Sequence, residues 1–263
     1  MNPFRSKSFR PTLEALENRL MPTLSFYSIG NTVVVEGDYW GDDNLVLRAF
    51  GDGSYSVADG GGATISVPAG KTLYLNTYLG NDTVRYIGGH FGGSLQAINS
   101  HVVVDLGEGN DKFLGTFNRD IENGAHVALT VFGEGGNDMI AVYGTAVAPR
   151  RSGDNLTDGT AINTNGLYID SASTLEVAVE GGFGKDKIFL DYDGRLDGFI
   201  DLHLSWKGGD DFIAATLNVR QGSLGHVGTA DESASVEGIP GAIPSFSRSS
   251  IIPTAKLVST PRS

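Results

Sequence analysis

No cysteine occurs in the 263 residues. Disulfides, cysteine-based zinc sites and thiol nucleophiles are therefore excluded together. No apolar run reaches the roughly 18 residues a spanning helix needs, so no membrane span is expected. The 37 glycines follow no three-residue period, which excludes collagen and leaves a turn-dense β architecture. Basic residues are scarce: 19 Lys and Arg stand against 31 Asp and Glu, for a net charge of −12. The two ends carry a small positive excess, +2 over residues 1–24 and +1 over 219–263, which leaves −15 between them. A body that acidic repels phosphate backbones and attracts cations, so no nucleic-acid partner is expected. The five histidines show no metal-ligand spacing, and no G-x-S-x-G, P-loop or Rossmann fingerprint is present. The expectation is a protein without a catalytic site.

What the chain has instead is a repeat. "EGGFGKDKIFL", residues 180–190, places glycines before an aspartate and an apolar residue two places after it. The pattern G-x-D-x-apolar recurs around Asp82, Asp111, Asp138 and Asp211, and in a weaker form around Asp43. Two residues before each aspartate stands a glycine: Gly41, Gly80, Gly109, Gly136, Gly184 and Gly209. Two residues after it stands Leu45, Val84, Phe113, Ile140, Ile188 or Ile213. Upstream, the last five copies carry an alternating apolar pair in constant register, Leu73/Leu75, Val102/Val104, Leu129/Val131, Val177/Val179 and Leu202/Leu204. Such alternation marks a half-buried strand. At Asp43 the pair, Val33/Val35, is displaced by one residue.

The aspartates lie 39, 29, 27, 48 and 25 residues apart. Periods of this size signal stacked units too small to bury a face alone. The expected fold is all-β, a parallel β-solenoid with Gly/Asp corner loops. The alternative is a β-sandwich, with "ENGAH" at 122–126 as an Asn-Gly hairpin turn. The long interval after Asp138 contains a polar, turn-rich insertion, and the one after Asp43 an extra hairpin or partial coil. The expected organisation is a leader over residues 1–24, the repeat domain over 25–218 and a disordered Ser/Pro/Gly-rich tail over 219–263.

These loops resemble the RTX, or hemolysin-type, calcium-binding repeats of secreted bacterial proteins, whose nonapeptide is G-G-x-G-x-D-x-U-x. Residues 181–189 fit it at every position. The resemblance implies Ca²⁺ held by loop carbonyls and aspartate carboxylates of neighbouring turns. Position by position, the carboxylate role falls on Asp82, Asp111, Asp138, Asp186 and Asp211, with Asp210 doubling the last. The carbonyl role falls on Gly80, Gly107, Gly109, Gly136, Gly182, Gly184 and Gly209. The copies depart from the family in occurring once per unit instead of in tandem, and in placing Thr77 and Tyr78, or Trp206 and Lys207, where the first two glycines belong. "GEGGND" aligns its leading glycines only with an extra residue. The same residues also suit a metal-free corner, since Asn and Asp tolerate left-handed backbone and glycine has no Cβ. Both readings stay open from sequence.

"FRPTLEALENRLMP", residues 9–22, spaces Leu13, Leu16 and Leu20 helically after a candidate cap at Thr12. It resembles the short L-E-x-L-E-x-R leader of large bacterial surface and secreted proteins, which implies export. "LDYDGRLDG", 190–198, gathers Asp191, Asp193, Asp197 and Arg195. It is similar in composition to the acidic, calcium-assisted sites of β-helical polysaccharide lyases. Tyr39, Trp40, Tyr74, Tyr78, Phe91 and Trp206 flank loops and offer faces to sugars. The expected function is a secreted or cell-surface, calcium-responsive structural or adhesive module, with calcium and extracellular polysaccharide or other surface proteins as partners. The alternative is a β-helical polysaccharide lyase or hydrolase.

Overall fold

A computed structural model of the chain describes residues 24–90, 95–96, 99–144, 167–209, 211–222, 226–229, 234–237 and 255–258. All their regular structure is β; no helix occurs among them, and so none is long and apolar enough to cross a membrane. The expected leader, the insertion at 145–166, Phe91, Asp210 and most of the expected tail lie outside the described residues.

Two large sheets dominate, and neither closes on itself. The first runs in the order β1 (Ser25–Ile29), β2 (Thr32–Glu36), β6 (Thr72–Asn76), β9 (Asn99–Asp105), β12 (His126–Phe132), β16 (Thr174–Glu180), β19 (Phe199–Ser205) and β21 (His226–Thr229). Only β1–β2 is antiparallel; every later pair is parallel. The second sheet runs β5 (Thr64–Val67), β4 (Tyr55–Asp59), β3 (Asn44–Phe50), β7 (Thr83–His90), β10 (Lys112–Phe117), β14 (Met139–Gly144), β18 (Lys187–Leu196), β15 (Leu167–Ile169), β11 (Ile121–Glu122) and β8 (Leu95–Gln96). β20 (Phe212–Gly222) also pairs with β18, in parallel, and crosses the boundary expected at residue 218. Two short parallel pairs complete the set, β13 (Gly135–Gly136) with β17 (Phe183–Gly184), and β22 (Ala234–Glu237) with β23 (Ala255–Val258).

The register follows the sequence repeat. Val33, Leu73, Val102, Leu129, Val177 and Leu202 are cross-strand neighbours in the first sheet, and all are buried. Val35, Leu75, Val104, Val131, Val179 and Leu204 form a second buried row beside them. In the second sheet Leu45, Val84, Phe113, Ile140, Ile188 and Ile213 pair in the same way. A slip of one residue would turn every one of these side chains outward, so the apolar rows hold the register. Each fully buried Val, Leu, Ile or Phe contributes about 1.5–3 kcal/mol.

Among the described residues, antiparallel pairing is confined to the N-terminal part. β3, β4 and β5 form a meander in the long interval after Asp43, which is the extra hairpin expected there. The Asn-Gly turn at 122–126 forms no hairpin. Asn123 and Gly124 do take positive φ, 59° and 78°, but β11 belongs to the second sheet and β12 to the first. The turn carries the chain from one sheet to the other.

Candidate functional site

The turns between a first-sheet strand and the next second-sheet strand bring the repeated Gly and Asp residues into columns. Gly136 has φ 137°, and a Cβ on it would lie 1.4 Å from the Gly109 carbonyl oxygen. A Cβ on Gly184 would meet the Gly136 oxygen at the same distance. From Gly80 to Gly209 the glycine two residues before each aspartate is thus required by backbone packed on backbone, and only hydrogen fits in the gap; Gly41, first in the column, meets only the Asp38 side chain.

The aspartates use this closeness. The Asp43 amide donates to Asp82 Oδ1 (2.7 Å), Asp82 to Asp111 Oδ1 (2.7 Å) and Asp111 to Asp138 Oδ1 (2.8 Å). Asp138 donates in turn to Asp186 Oδ1 (2.9 Å) and Asp186 to Asp211 Oδ1 (2.8 Å). Each carboxyl from Asp82 onward therefore accepts the main-chain N–H of the preceding repeat's aspartate. All six side chains are buried.

A second column runs beside it in the opposite sense. The Asn81 amide donates to Asp42 Oδ1 (2.7 Å), Asn110 to Asn81 Oδ1 (3.1 Å), Asn137 to Asn110 Oδ1 (3.1 Å) and Lys185 to Asn137 Oδ1 (3.0 Å). Here each side chain serves the following repeat. Two backbone donors per turn, which a sheet ladder cannot reach, are satisfied by these paired columns. Sequence reasoning treated the asparagines only as turn formers and missed this role. Their recurrence immediately before the aspartate was the available signal.

Four residues before the aspartates stand Tyr78, Gly107, Glu134 and Gly182, all left-handed, with φ of 65°, 79°, 64° and 88°. Glu134 occupies the place of Gly182, and the Phe183 amide donates to its carbonyl (2.7 Å). "GEGGND" thus aligns without the extra residue expected from the glycines alone. The Gly107 carbonyl accepts the Gly135 amide (3.2 Å) and the Gly182 carbonyl the Lys207 amide (2.8 Å). The oxygens of Gly80, Gly109, Gly136 and Gly184 instead face the glycine of the next repeat; Gly209 closes this column.

In three successive turns one carboxylate oxygen is left over. Oδ2 of Asp111, Asp138 and Asp186 is buried and has no hydrogen-bond partner. Burial pushes Asp111 and Asp138 up to about 7, against the pull of the amides of Asp82 and Asp111, and neighbouring carboxylates add to the rise. Asp82 and Asp186 are also raised, burial again being the largest cause. Burial pushes Asp43 up to about 7 as well, but it leaves no oxygen over, because its Oδ2 accepts the Asp38 amide (2.9 Å). A buried carboxylate oxygen without a partner is costly, and a proton or a cation removes that cost. Among the described residues no group of three or more His, Asp or Glu side chains is arranged to hold a metal ion. A cation here would take one orphaned carboxylate oxygen per turn and fill its shell from backbone carbonyls. That all-oxygen donor set suits Ca²⁺.

The acidic stretch near 190–198 is arranged differently. Asp191, Asp193 and Arg195 share the outward face of β18. Arg195 is held by Asp197 Oδ2 (2.5 Å) and its guanidinium lies over the Tyr168 ring, 5.0 Å from the centroid. Tyr168 Oη donates to the same Asp197 oxygen (3.2 Å). An open cleft of about 670 Å³ lies elsewhere, lined among others by Asp52, Lys71, His101, His126 and Glu176. His126 pairs there with Glu176 (3.7 Å), and His203 with Asp201 (3.1 Å).

The loop aromatics separate into two kinds. Trp206 was expected to flank a loop but is 5% exposed and belongs to the core. Tyr39 packs on Trp40 (centroids 4.8 Å apart) and on Tyr78 (5.1 Å), with Trp40 78% exposed. No family model, curated protein or solved structure matches the chain.

Proposed function

We propose that the chain is a secreted or cell-surface β-solenoid, a structural or adhesive module without catalytic activity, whose Asp/Gly turns bind calcium. The single observation that carries the calcium reading is the buried, unpartnered Oδ2 of Asp111, Asp138 and Asp186. Successive repeats add a strand to the first sheet and one or two to the second, paired in parallel, which supports a solenoid. The most regular side chains of the molecule are spent on joining one repeat to the next. Arg195, the base that a polysaccharide-cleaving site would need, is instead bound by Asp197 and Tyr168.

In this reading Asp82, Asp111, Asp138, Asp186 and Asp211 supply anionic oxygens, and the turn glycines supply neutral ones. Asp210 stands next to the last of them in sequence. Bound calcium neutralises the stacked carboxylates. The aspartates keep their Oδ1 bonds to the preceding repeat and so hold the neighbouring turns together. Calcium that binds only the folded chain adds RT ln(1 + [L]/Kd), about 2.7 kcal/mol at a hundredfold excess over Kd. Melting curves in millimolar CaCl₂, in MgCl₂ of equal ionic strength and in chelator test it. A rise specific to calcium, absent from the Asp138→Asn/Asp186→Asn double variant, is expected. Superimposable curves in calcium and chelator would remove calcium from the function and leave the module.

A further inference from the structure

Two departures from the repeat, one in the first copy and one in the second, converge on one surface. From Val35 to Asp43 the chain has one residue more than from Leu75 to Asp82 or Val104 to Asp111. The strands on both sides nevertheless stay in register, Val35 with Leu75 and Leu45 with Val84. The additional residue is therefore absorbed in the loop between Glu36 and Asn44. That loop is held by its own bonds, from the Asp38 amide to Asp43 Oδ2 (2.9 Å) and from the Trp40 amide to Asp38 Oδ1 (3.1 Å). The second departure is Tyr78, left-handed at φ 65° in the column where Gly107, Glu134 and Gly182 stand, and the one ring in it. A side chain there costs about 1–2 kcal/mol relative to glycine. Tyr78 is fixed by its hydroxyl, which donates to Glu36 Oε1 (2.5 Å), and by its amide, which donates to Asn76 Oδ1 (2.9 Å).

The result is a row of three rings, Trp40, Tyr39 and Tyr78, in mutual contact and on the surface. Trp40 is 78% and Tyr39 50% exposed, and Tyr27, 45% exposed, lies on the adjoining edge strand β1. A ring held in left-handed backbone beside a loop with an inserted residue, both presenting aromatic faces at the surface, points to recognition. We infer that Tyr39, Trp40 and Tyr78 form a binding surface for a neutral polysaccharide.

The chemistry selects that partner. Sugar rings present apolar C–H faces that stack on aromatic faces, and their hydroxyls donate to carboxylates such as Asp38 and Asp42 beside the rings. The same carboxylates, on a body of charge −15, repel uronate-rich or phosphorylated polymers. The inference rests on the surface-module reading for where the ligand is met, and it does not depend on calcium.

Affinity electrophoresis of the full chain tests it, in gels containing hydroxyethylcellulose, galactomannan or laminarin, with alginate as the acidic control, each run with calcium and with chelator. At least one neutral polymer should retard the protein and alginate should not. Trp40→Ala should weaken that retardation at least tenfold. Tyr78→Gly, which relieves the left-handed strain, should weaken it without lowering the melting temperature. Because the only other tryptophan is the buried Trp206, a blue shift of emission on adding polymer reports on Trp40. Failure of all three neutral polymers to retard the chain, or full retardation of Trp40→Ala, would overturn the inference. So would sedimentation as a dimer that Trp40→Ala turns into a monomer, since a second copy would then cover the rings. A normal calcium response beside absent polymer binding removes only the ring surface. Polymer binding without a calcium response removes only the calcium.

Discussion

The backbone amide of Asp111 donates to the carboxylate of Asp138 at 2.8 Å, and from Asp82 to Asp211 each aspartate likewise caps the main chain of its neighbour. An aspartate that forms an ordinary Asx turn would serve a residue two places on in its own segment. Here the bond joins residues 27 positions apart, and its repetition from Asp43 to Asp211 turns a local motif into a long-range tie.

That direction of bonding separates acceptor geometry from charge. Asp138→Asn keeps Oδ1 as an acceptor and should cost well under the ~1–3 kcal/mol expected of Asp138→Ala, which leaves the buried Asp111 amide unsatisfied. Urea unfolding in chelator measures both. Equal losses for Asn and Ala would mean that the bond to Asp111 contributes nothing.

Gly136 gives a sharper contrast. A Cβ there overlaps the Gly109 carbonyl oxygen at 1.4 Å, whereas Gly62, with φ 95°, has nothing within 4 Å. Gly136→Ala should destabilise by more than 4 kcal/mol or prevent folding, a loss found only where backbone must move. Gly62→Ala should cost only the left-handed penalty, about 1–2 kcal/mol. Similar melting temperatures for the two variants would show that the glycine column is not close-packed.

Much of this architecture was legible before any coordinates. The inward pairs and the apolar residue after each aspartate are fixed in sequence distance, and parallel pairing preserves those distances. The asparagine column was only partly legible: Asn81, Asn110 and Asn137 recur immediately before the aspartate, but its ends are Asp42 and Lys185, and only the backbone donor is constant. Trp206 was misplaced for a related reason. It stands five residues before Asp211, where Leu106 stands relative to Asp111, and both are buried. Alignment on the aspartates alone contained that answer, but an isolated aromatic beside glycines looks like a loop residue. The strain at Tyr78 could not be foreseen, since a left-handed tyrosine has no sequence signature.

Val179 tests the inward row itself. It is 2% exposed and lies between Val131 and Leu204 on the neighbouring strands. Val179→Asp buries a charge with no partner and should destabilise by several kcal/mol. Ala178→Asp, one residue away on the outward face, should change stability by under about 1 kcal/mol. Equal behaviour of the pair in thermal melts would contradict the alternation.

The carboxylate column also sets a pH dependence, and its sign is opposite to that of a salt-bridged acid. Asp111 and Asp138 are raised from 3.8 to about 7, mainly by burial, with Asp82, Asp42, Asp186 and Glu108 facing them as like charges. A folded-state value above the unfolded one means that the native protein holds more protons between those limits. Stability therefore falls as pH rises from about 4 to 7, because unfolding releases protons there. Above the folded value the slope vanishes. Below about 4 both states are protonated and these groups contribute their full stabilisation. In chelator the melting temperature should be higher at pH 5 than at pH 8. Asp111→Asn together with Asp138→Asn, which removes these two titrations and keeps both acceptors, should shrink the difference, with Asp43, Asp82 and Asp186 carrying the remainder. A melting temperature that instead climbs from pH 5 to pH 8 in wild-type protein would mean that the buried aspartates are held as anions by partners other than solvent or protons.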